Sequence, residues 1–319
     1  MSGIDVGVFL PTMTEGDAPM TDVAAAASHV ERLGFESAWV TDQLVAGEGV
    51  PVLDSMVSLA TAAAVTERVS LGLGVLVVPL RRVAWIAKQV ASLQHVSDGR
   101  VLLGVGVGGD RHERSWAAAG VPRRERGRRT DGALDVLPDL LAGRSVRLGA
   151  QPHAPEVRLS PAAPVPPLLV GGMSEAAIRR TVRYGDGWFL LPGPPEVVAS
   201  GRARLAELAA AAHRPTPAIT ATTMVALRPD PALPEDAALR RSLSDPKGMF
   251  GIPTGHVDSV LTGGDPPAIA AHLATLADQG VERVVVTLAA GDWFRQAELL
   301  AEARELITTK AGLSSENTH

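Results

Sequence analysis

The sequence contains no cysteine, only three lysines and a single asparagine among its 319 residues. Without a thiol, disulfide bonds, cysteine nucleophiles and thiolate metal sites are all excluded. No apolar run approaches the ~20 residues that a membrane-spanning helix needs. The first residues show no basic segment followed by an apolar one, which a secretory signal would require. We therefore expect a cytoplasmic protein without a membrane partner.

The charge balance and the absence of several motifs exclude further classes of function. The formal net charge is -5 and the isoelectric point about 5.9, which disfavours a nucleic-acid partner held through its phosphates. Neither G-x-S-x-G nor G-K-[ST] occurs, so a serine hydrolase and a P-loop NTPase are disfavoured. The seven histidines other than His112 are scattered along the chain, and no metal site is expected.

Eight apolar segments alternate with segments whose spacing predicts helices. The predicted strands cover residues 4–10, 37–41, 69–78, 101–107, 168–170, 187–191, 218–227 and 283–288. Most are continuous apolar runs, as expected for parallel strands that are buried on both faces. Strict alternation over this length predicts an α/β protein with a (β/α)8 TIM barrel. We expect one domain over residues 1–310, loop insertions near 144–166 and 229–265, and a flexible tail over 311–319.

The end of the fourth predicted strand is rich in glycine. Gly104, Gly106 and Gly109 match the G-x-G-x-x-G pattern of a Rossmann nucleotide site. That pattern needs a second buried strand that ends in an acid about 20 residues later, and residues 121–131 are too charged to form it. Two interpretations remain for a barrel strand: the missing side chains admit a flat ring, or they relieve crowding inside the barrel.

A second pair of glycines follows the fifth predicted strand. Gly171 and Gly172 precede Ser174, which is a suitable N-cap for the next predicted helix. Free N–H groups and the helix dipole make such a helix start suitable for a phosphate. A plain tight turn between strand and helix is the alternative interpretation.

Several segments together resemble the luciferase-like monooxygenase family of flavin- and deazaflavin-dependent oxidoreductases. They are residues 34–42, 71–79, 97–108, 125–129, 167–174 and 185–188, in the family's order over nearly the whole chain. The resemblance implies a barrel that holds a tricyclic ring at its C-terminal mouth. It also implies a non-prolyl cis peptide at Gly74–Val75 and a cofactor phosphate near the fifth-strand loop. The cofactor-binding residues expected on these grounds are Gly74, Val75, Gly106, Gly108, Gly171, Gly172, Met173 and Ser174.

The sequence departs from the family at positions that carry chemistry. Many members have a histidine where this chain has Gln43, and some deazaflavin dehydrogenases have a glutamate where this chain has Gly109 followed by Asp110. Hydride transfer usually needs an acid or base within hydrogen-bond reach of the substrate. Among polar residues at strand ends, the catalytic candidates are therefore Asp42, Gln43, Asp110 and His112.

Three functions fit this set of observations. The first is hydride transfer between coenzyme F420 and a small organic substrate; a composition typical of GC-rich genomes favours it, because F420 is frequent among such bacteria. The second is a two-component monooxygenase that uses reduced FMN and oxygen. The third is a non-catalytic flavin-binding barrel, which the absent histidine and glutamate suggest. Association into a homodimer is left open.

Overall fold

The structure is a computed structural model that describes residues 4–47, 49–109, 113–149, 153–191 and 195–316. Side chains are described within these ranges except at residue 195 and beyond residue 307. Eleven strands occur in these ranges: β1 Asp5–Phe9, β2 Ser37–Val40, β3 Ser70–Val77, β4 Val101–Gly106, β5 Val146–Arg147, β6 Glu156–Val157, β7 Leu168–Gly171, β8 Gly187–Leu190, β9 Ala218–Leu227, β10 Leu261–Gly264 and β11 Arg283–Leu288.

Eight parallel strands close into a barrel, in the order β1, β2, β3, β4, β7, β8, β9 and β11, and β11 pairs again with β1. All eight correspond to strands predicted from the sequence, so the (β/α)8 prediction is confirmed. Every residue of β4 and β8 is buried. Burial on both faces explains why these strands are continuous apolar runs.

Helices cover the outside of the barrel. Within the described ranges they are α1 Val23–Arg32, α2 Ser55–Ala64, α3 Val83–Val96, α4 Glu113–Ala118, α5 Arg126–Leu134, α6 Leu137–Leu141, α7 Glu175–Tyr184, α8 Pro195–Ala211, α9 Asp236–Ser244, α10 Val257–Val260, α11 Pro266–Asp278 and α12 Trp293–Glu316. The side chains of Asp22, Asp54, Ser174 and Asp265 accept hydrogen bonds from first-turn N–H groups and thereby fix where four helices begin.

Both insertions lie where the sequence predicts them, and both contain secondary structure. The first includes the two-residue hairpin strands β5 and β6. The second includes α9, α10 and β10, and β10 pairs in parallel with residues 224–227 of the long strand β9. Leu239, Leu243 and Val257 of this second insertion are buried against Met224 of β9. Apolar side chains between the prolines and glycines therefore anchor the insertion to the barrel.

The interior of the barrel is filled by side chains. Phe9, Trp39, Leu102, Leu169 and Phe189 form a buried cluster, and the rings of Trp39 and Phe189 lie 5.4 Å apart. These large side chains fill the barrel interior, as in a packed core. In such a barrel a ligand site is expected at the mouth, where the strands end.

The C-terminal helix α12 is described as far as Glu316, past the point at which the sequence predicts a tail. Flexibility of residues 311–319 stays a prediction. In the part of the chain that the structure covers, no helix is both long enough and apolar enough to cross a membrane.

His272 links α11 to β9 and gives the fold a pH dependence. Its Nε2 lies 2.9 Å from the hydroxyl of Thr223, and burial lowers the pKa of the ring. An unfolded histidine titrates near pH 6.5, so just below that value the unfolded chain binds the extra proton. The free energy of unfolding should therefore fall as pH drops below about 6.5.

Urea unfolding of the wild type and of His272→Gln between pH 5 and 8 measures this dependence. We expect a smaller loss of stability toward pH 5 in the variant, because glutamine does not titrate. Parallel curves for the two proteins would show that another group is responsible.

Candidate functional site

The mouth of the barrel is marked by two residues of β3 that are only half-buried, Gly74 and Val75, in a strand whose other members are mostly buried. The pairing of β3 with β4 shifts register between Leu73 and Leu76, so the two residues form a bulge. The Gly74–Val75 peptide bond is cis. The cis peptide that the family resemblance implies at this position is therefore confirmed.

Three glycines on neighbouring strands surround the Val75 side chain. A Cβ atom on Gly106 would lie 2.6 Å from Val75 Cγ2, and Cβ atoms on Gly104 and Gly171 would lie 3.0 and 3.1 Å from Val75 Cγ1. The glycines of β4 and β7 thus make room for Val75, which favours the crowding interpretation of this motif. Direct contact of Gly106 with a ring stays a prediction.

The resulting surface at the mouth is apolar. Across β3, β4 and β7, Val75 is the side chain that stands over the glycines, and it remains half-exposed toward the mouth. A flat apolar surface of this kind offers dispersion contacts to one face of an aromatic ring. Polar side chains at the same strand ends would lie at the ring's edge.

The turn from β7 to α7 provides a place for a phosphate. Gly172 has φ +119°, a conformation that side chains rarely adopt, and its carbonyl accepts a 2.7 Å hydrogen bond from Trp188 Nε1. Ser174 Oγ accepts from the N–H of Ala177 at 3.2 Å and caps the helix. Met173 and Ser174 are exposed. The first-turn N–H groups and the dipole of this ten-residue helix favour an anion here.

An ion-pair cluster stands beside this turn. Glu175 accepts hydrogen bonds at 2.8 Å from both Arg179 and Arg204. Those hydrogen bonds, that from Arg204 first, lower the pKa of Glu175 to about 2. The cluster therefore stays fully ionised at neutral pH and holds α7 against α8.

Asp42 lies under the end of β3 with both carboxylate oxygens occupied. Arg81 donates to it in a bidentate pair at 2.6 and 2.8 Å, Val77 N–H donates at 2.8 Å, and Ser55 Oγ donates at 2.8 Å. Burial alone would lower the pKa of Arg81, but the hydrogen bonds and negative charges of Asp42 and Asp54 together raise it. These contacts favour a positioning role for Asp42; its predicted catalytic role stays a prediction.

The other catalytic candidates are resolved to different degrees. Gln43 is half-buried, and its Nε2 lies 3.9 Å from Met13 Sδ, so its amide has little to hold it. Asp110 and His112 lie outside the described residues. Among those described, no three of His, Asp and Glu gather into a set that would hold a metal ion.

Two polar groups near the mouth are not among the candidates identified from the sequence. Thr41 Oγ1 and Trp116 Nε1 are buried, and neither has a hydrogen-bond partner in the described part of the structure. Alternation along β2 places Thr41 on the inner face next to Gly74, a signal that the sequence does contain. Trp116 packs where a Cβ on Gly108 would lie, 2.7 Å from its ring, and no local pattern predicts that contact.

The fold is a closed (β/α)8 barrel with the half-exposed Val75 at its mouth and a glycine turn before α7 beside it. The family model described as luciferase-like monooxygenase matches residues 4–309. The chain therefore belongs to the luciferase-like monooxygenase family.

The sequence relatives include an F420-dependent dehydrogenase and a monooxygenase. An F420-dependent glucose-6-phosphate dehydrogenase of Beutenbergia cavernae is 33% identical over 179 residues, 54% of this chain and 53% of the relative. A 4-hydroxyprotoasukamycin monooxygenase of Streptomyces nodosus is 29% identical over 205 residues, 61% of this chain and 54% of the relative. The chain thus spans little more than half the length of these curated relatives.

A solved structure confirms the fold over nearly the entire chain. An F420-dependent secondary alcohol dehydrogenase, in complex with an F420-acetone adduct, superimposes with a TM-score of 0.78 at 17% identity. The superposition covers 95% of this chain and 98% of the dehydrogenase. Likeness at that identity establishes the shared barrel.

Proposed function

We propose that this protein is an oxidoreductase that transfers a hydride between coenzyme F420 and a small organic substrate. The observation that carries the proposal is the half-exposed Val75, seated on the glycines of β4 and β7 beside the start of α7. Ring and phosphate of one cofactor would then contact two adjacent strand ends. F420-dependent enzymes among the sequence relatives support the choice of cofactor.

In this proposal the residues of the mouth divide into two groups. Gly74 and Val75 support one face of the ring, while Gly171, Gly172, Met173 and Ser174 bind the phosphate. When bound, the deazaflavin supplies the carbon that gives or accepts the hydride. Thr41 and Gln43 are placed to hydrogen-bond the ring or the substrate at the edge of the mouth. The packed interior beneath, with Trp39 and Phe189, excludes water from below.

The alternative is a monooxygenase that uses reduced FMN and oxygen. The relative from Streptomyces nodosus, a monooxygenase by name, favours it. The same surface and phosphate turn would serve FMN, so geometry alone does not separate the two cofactors. A homodimer and a cytoplasmic location stay predictions.

Turnover assays separate these functions. We expect the protein to bleach oxidised F420 in the presence of at least one member of a panel of small alcohols, with oxygen having no effect on the rate. Formation of an oxygenated product with reduced FMN and oxygen, and no reaction with F420, would favour the monooxygenase. Binding of a cofactor without turnover in either assay would indicate the non-catalytic barrel.

Substitution of Ser174 tests the phosphate turn. Asp and Asn both cap helices well, so Ser174→Asp and Ser174→Asn should each keep α7 intact. Ser174→Asp adds a negative charge beside the expected phosphate and should weaken F420 binding by about tenfold or more, whereas Ser174→Asn should change it little.

The same variants should bind the deazaflavin core of F420, without its phosphate and tail, as the wild type does, because that compound has no phosphate to repel. Equal losses for both ligands would place the phosphate elsewhere. Isothermal calorimetry measures all four affinities.

A further inference from the structure

A cavity of about 250 Å³ lies between the turn that joins β3 to α3 and the helix α5. Four of its lining residues are arginines, and no acidic residue of the described ranges lines it: the arginines are Arg81, Arg82, Arg128 and Arg129. A concave surface of this composition attracts anions, because low-dielectric walls focus the field of the charges.

The wall formed by α5 carries an excess of positive charge. Arg128 Nη2 and Arg129 Nε approach the same oxygen, Oε2 of Glu125, at 3.3 and 3.0 Å. The hydrogen bond from Arg129, with the nearby arginine charges, lowers the pKa of Glu125, so this residue contributes one full negative charge. A single carboxylate neutralises one of two guanidinium groups, and each guanidinium has five N–H donors to offer.

The opposite wall adds to the same field. Arg82 precedes the 14-residue helix α3, which begins at Val83 without a side-chain cap. Val83 lines the cavity, so the partial positive charge of that helix start adds to its field. Arg81 lines the cavity but adds little net charge to it, because Asp42 and Asp54 both pair with it.

The cavity is separate from the phosphate turn at α7. Another face of α5 contacts α7, where Asp131 accepts a 2.6 Å hydrogen bond from Arg180 and Gly127 packs near the same arginine. Arg128, Arg129 and Gly132 line the cavity instead. Helix α5 thus stands between two basic regions of the protein.

We propose that this cavity binds a carboxylate or phosphate group through Arg128 and Arg129. The group has two sources, a free phosphate ion or the carboxylate-bearing tail of an F420 molecule bound at the mouth. The second source rests on the proposed function, whereas the anion site itself does not.

Gly132 offers a matched pair of variants. It lines the cavity one helical turn after Arg128 and Arg129, and a Cβ there would meet no atom within 4 Å. Gly132→Glu would place a carboxylate among the arginines, and Gly132→Gln would place a neutral group of the same size there. Both replace a helical glycine by a better helix former, so both should fold.

Binding of inorganic phosphate and of a tri-glutamate peptide, measured by calorimetry, tests the site. We expect Gly132→Glu to weaken both by about tenfold or more and Gly132→Gln to stay near the wild type. The turn at α7 is unchanged in both variants, so any binding there contributes equally to the two measured affinities. Equal binding by the two variants, or no binding by the wild type, would overturn the proposal.

The affinities of F420 and FMN for the two Gly132 variants distinguish the two sources of the anion. If the F420 tail occupies the cavity, Gly132→Glu weakens F420 and leaves FMN, which lacks the tail, unchanged. If the source is free phosphate, each cofactor binds the two variants with equal affinity, while the two variants still differ in their affinity for inorganic phosphate. A wild type that binds phosphate at this site but neither cofactor refutes the proposed function and leaves the anion site standing.

Discussion

Gly106→Ala is expected to weaken binding of the cofactor ring by about tenfold or more and to lower the free energy of unfolding by about 1–3 kcal/mol. The added Cβ would lie 2.6 Å from Val75 Cγ2, so the valine must leave its present position. Because Val75 forms the surface on which the ring is proposed to rest, its displacement should lower the affinity for the cofactor.

Two controls isolate that effect. Gly132→Ala adds the same methyl group where nothing lies within 4 Å, and it should leave ring affinity unchanged while stabilising α5 by about 1 kcal/mol. In a Val75→Ala background, Gly106→Ala should lower the free energy of unfolding and the ring affinity by less, with a coupling energy of about 1–2 kcal/mol. Strictly additive losses in this cycle would show that the two residues do not act on each other.

Asp42→Ala is expected to lower the free energy of unfolding by about 3 kcal/mol or more. The Asp42 side chain is 1% exposed, and its loss leaves the N–H of Val77 without its acceptor and Arg81 with only the 3.4 Å contact to Asp54. Since Val77 ends the strand that carries Gly74 and Val75, ring affinity should fall together with stability. Asp42→Asn keeps the shape and should lose less of both.

This outcome distinguishes positioning from proton transfer. A residue that only donates or accepts a proton would, when replaced by alanine or asparagine, abolish turnover and leave both stability and ring affinity at the wild-type level. Urea unfolding and cofactor titration of the two variants measure the difference, and unchanged stability in Asp42→Ala would contradict the positioning role.

The barrel could be predicted because its signals are local. Each parallel strand is buried on both faces, so an apolar run such as Val101–Gly106 reveals itself without knowledge of its neighbours. The cap at Ser174 is equally local. The cis peptide at Gly74–Val75 came from family resemblance, since no pattern in these two residues indicates it.

The details of the site could not be predicted because they depend on contacts across the sequence. Asp42 and Arg81 are 39 residues apart, and their pairing requires the ends of β2 and β3 to lie side by side. The glycines of β4 suggested space for a ring, whereas the bulge in β3 directs Val75 into that space. The Pro- and Gly-rich second insertion gave no periodic pattern, yet Leu239 and Leu243 anchor it to β9.

Titration of the apo-protein with F420 and with FMN, followed through the visible absorbance of each ring, tests the ring site most directly. We predict saturable one-to-one binding of F420, tighter than that of FMN, and a clear loss of affinity in Gly106→Ala but not in Gly132→Ala. Failure of both rings to bind, or equal affinities in the wild type and Gly106→Ala, would contradict a ring site built on Val75.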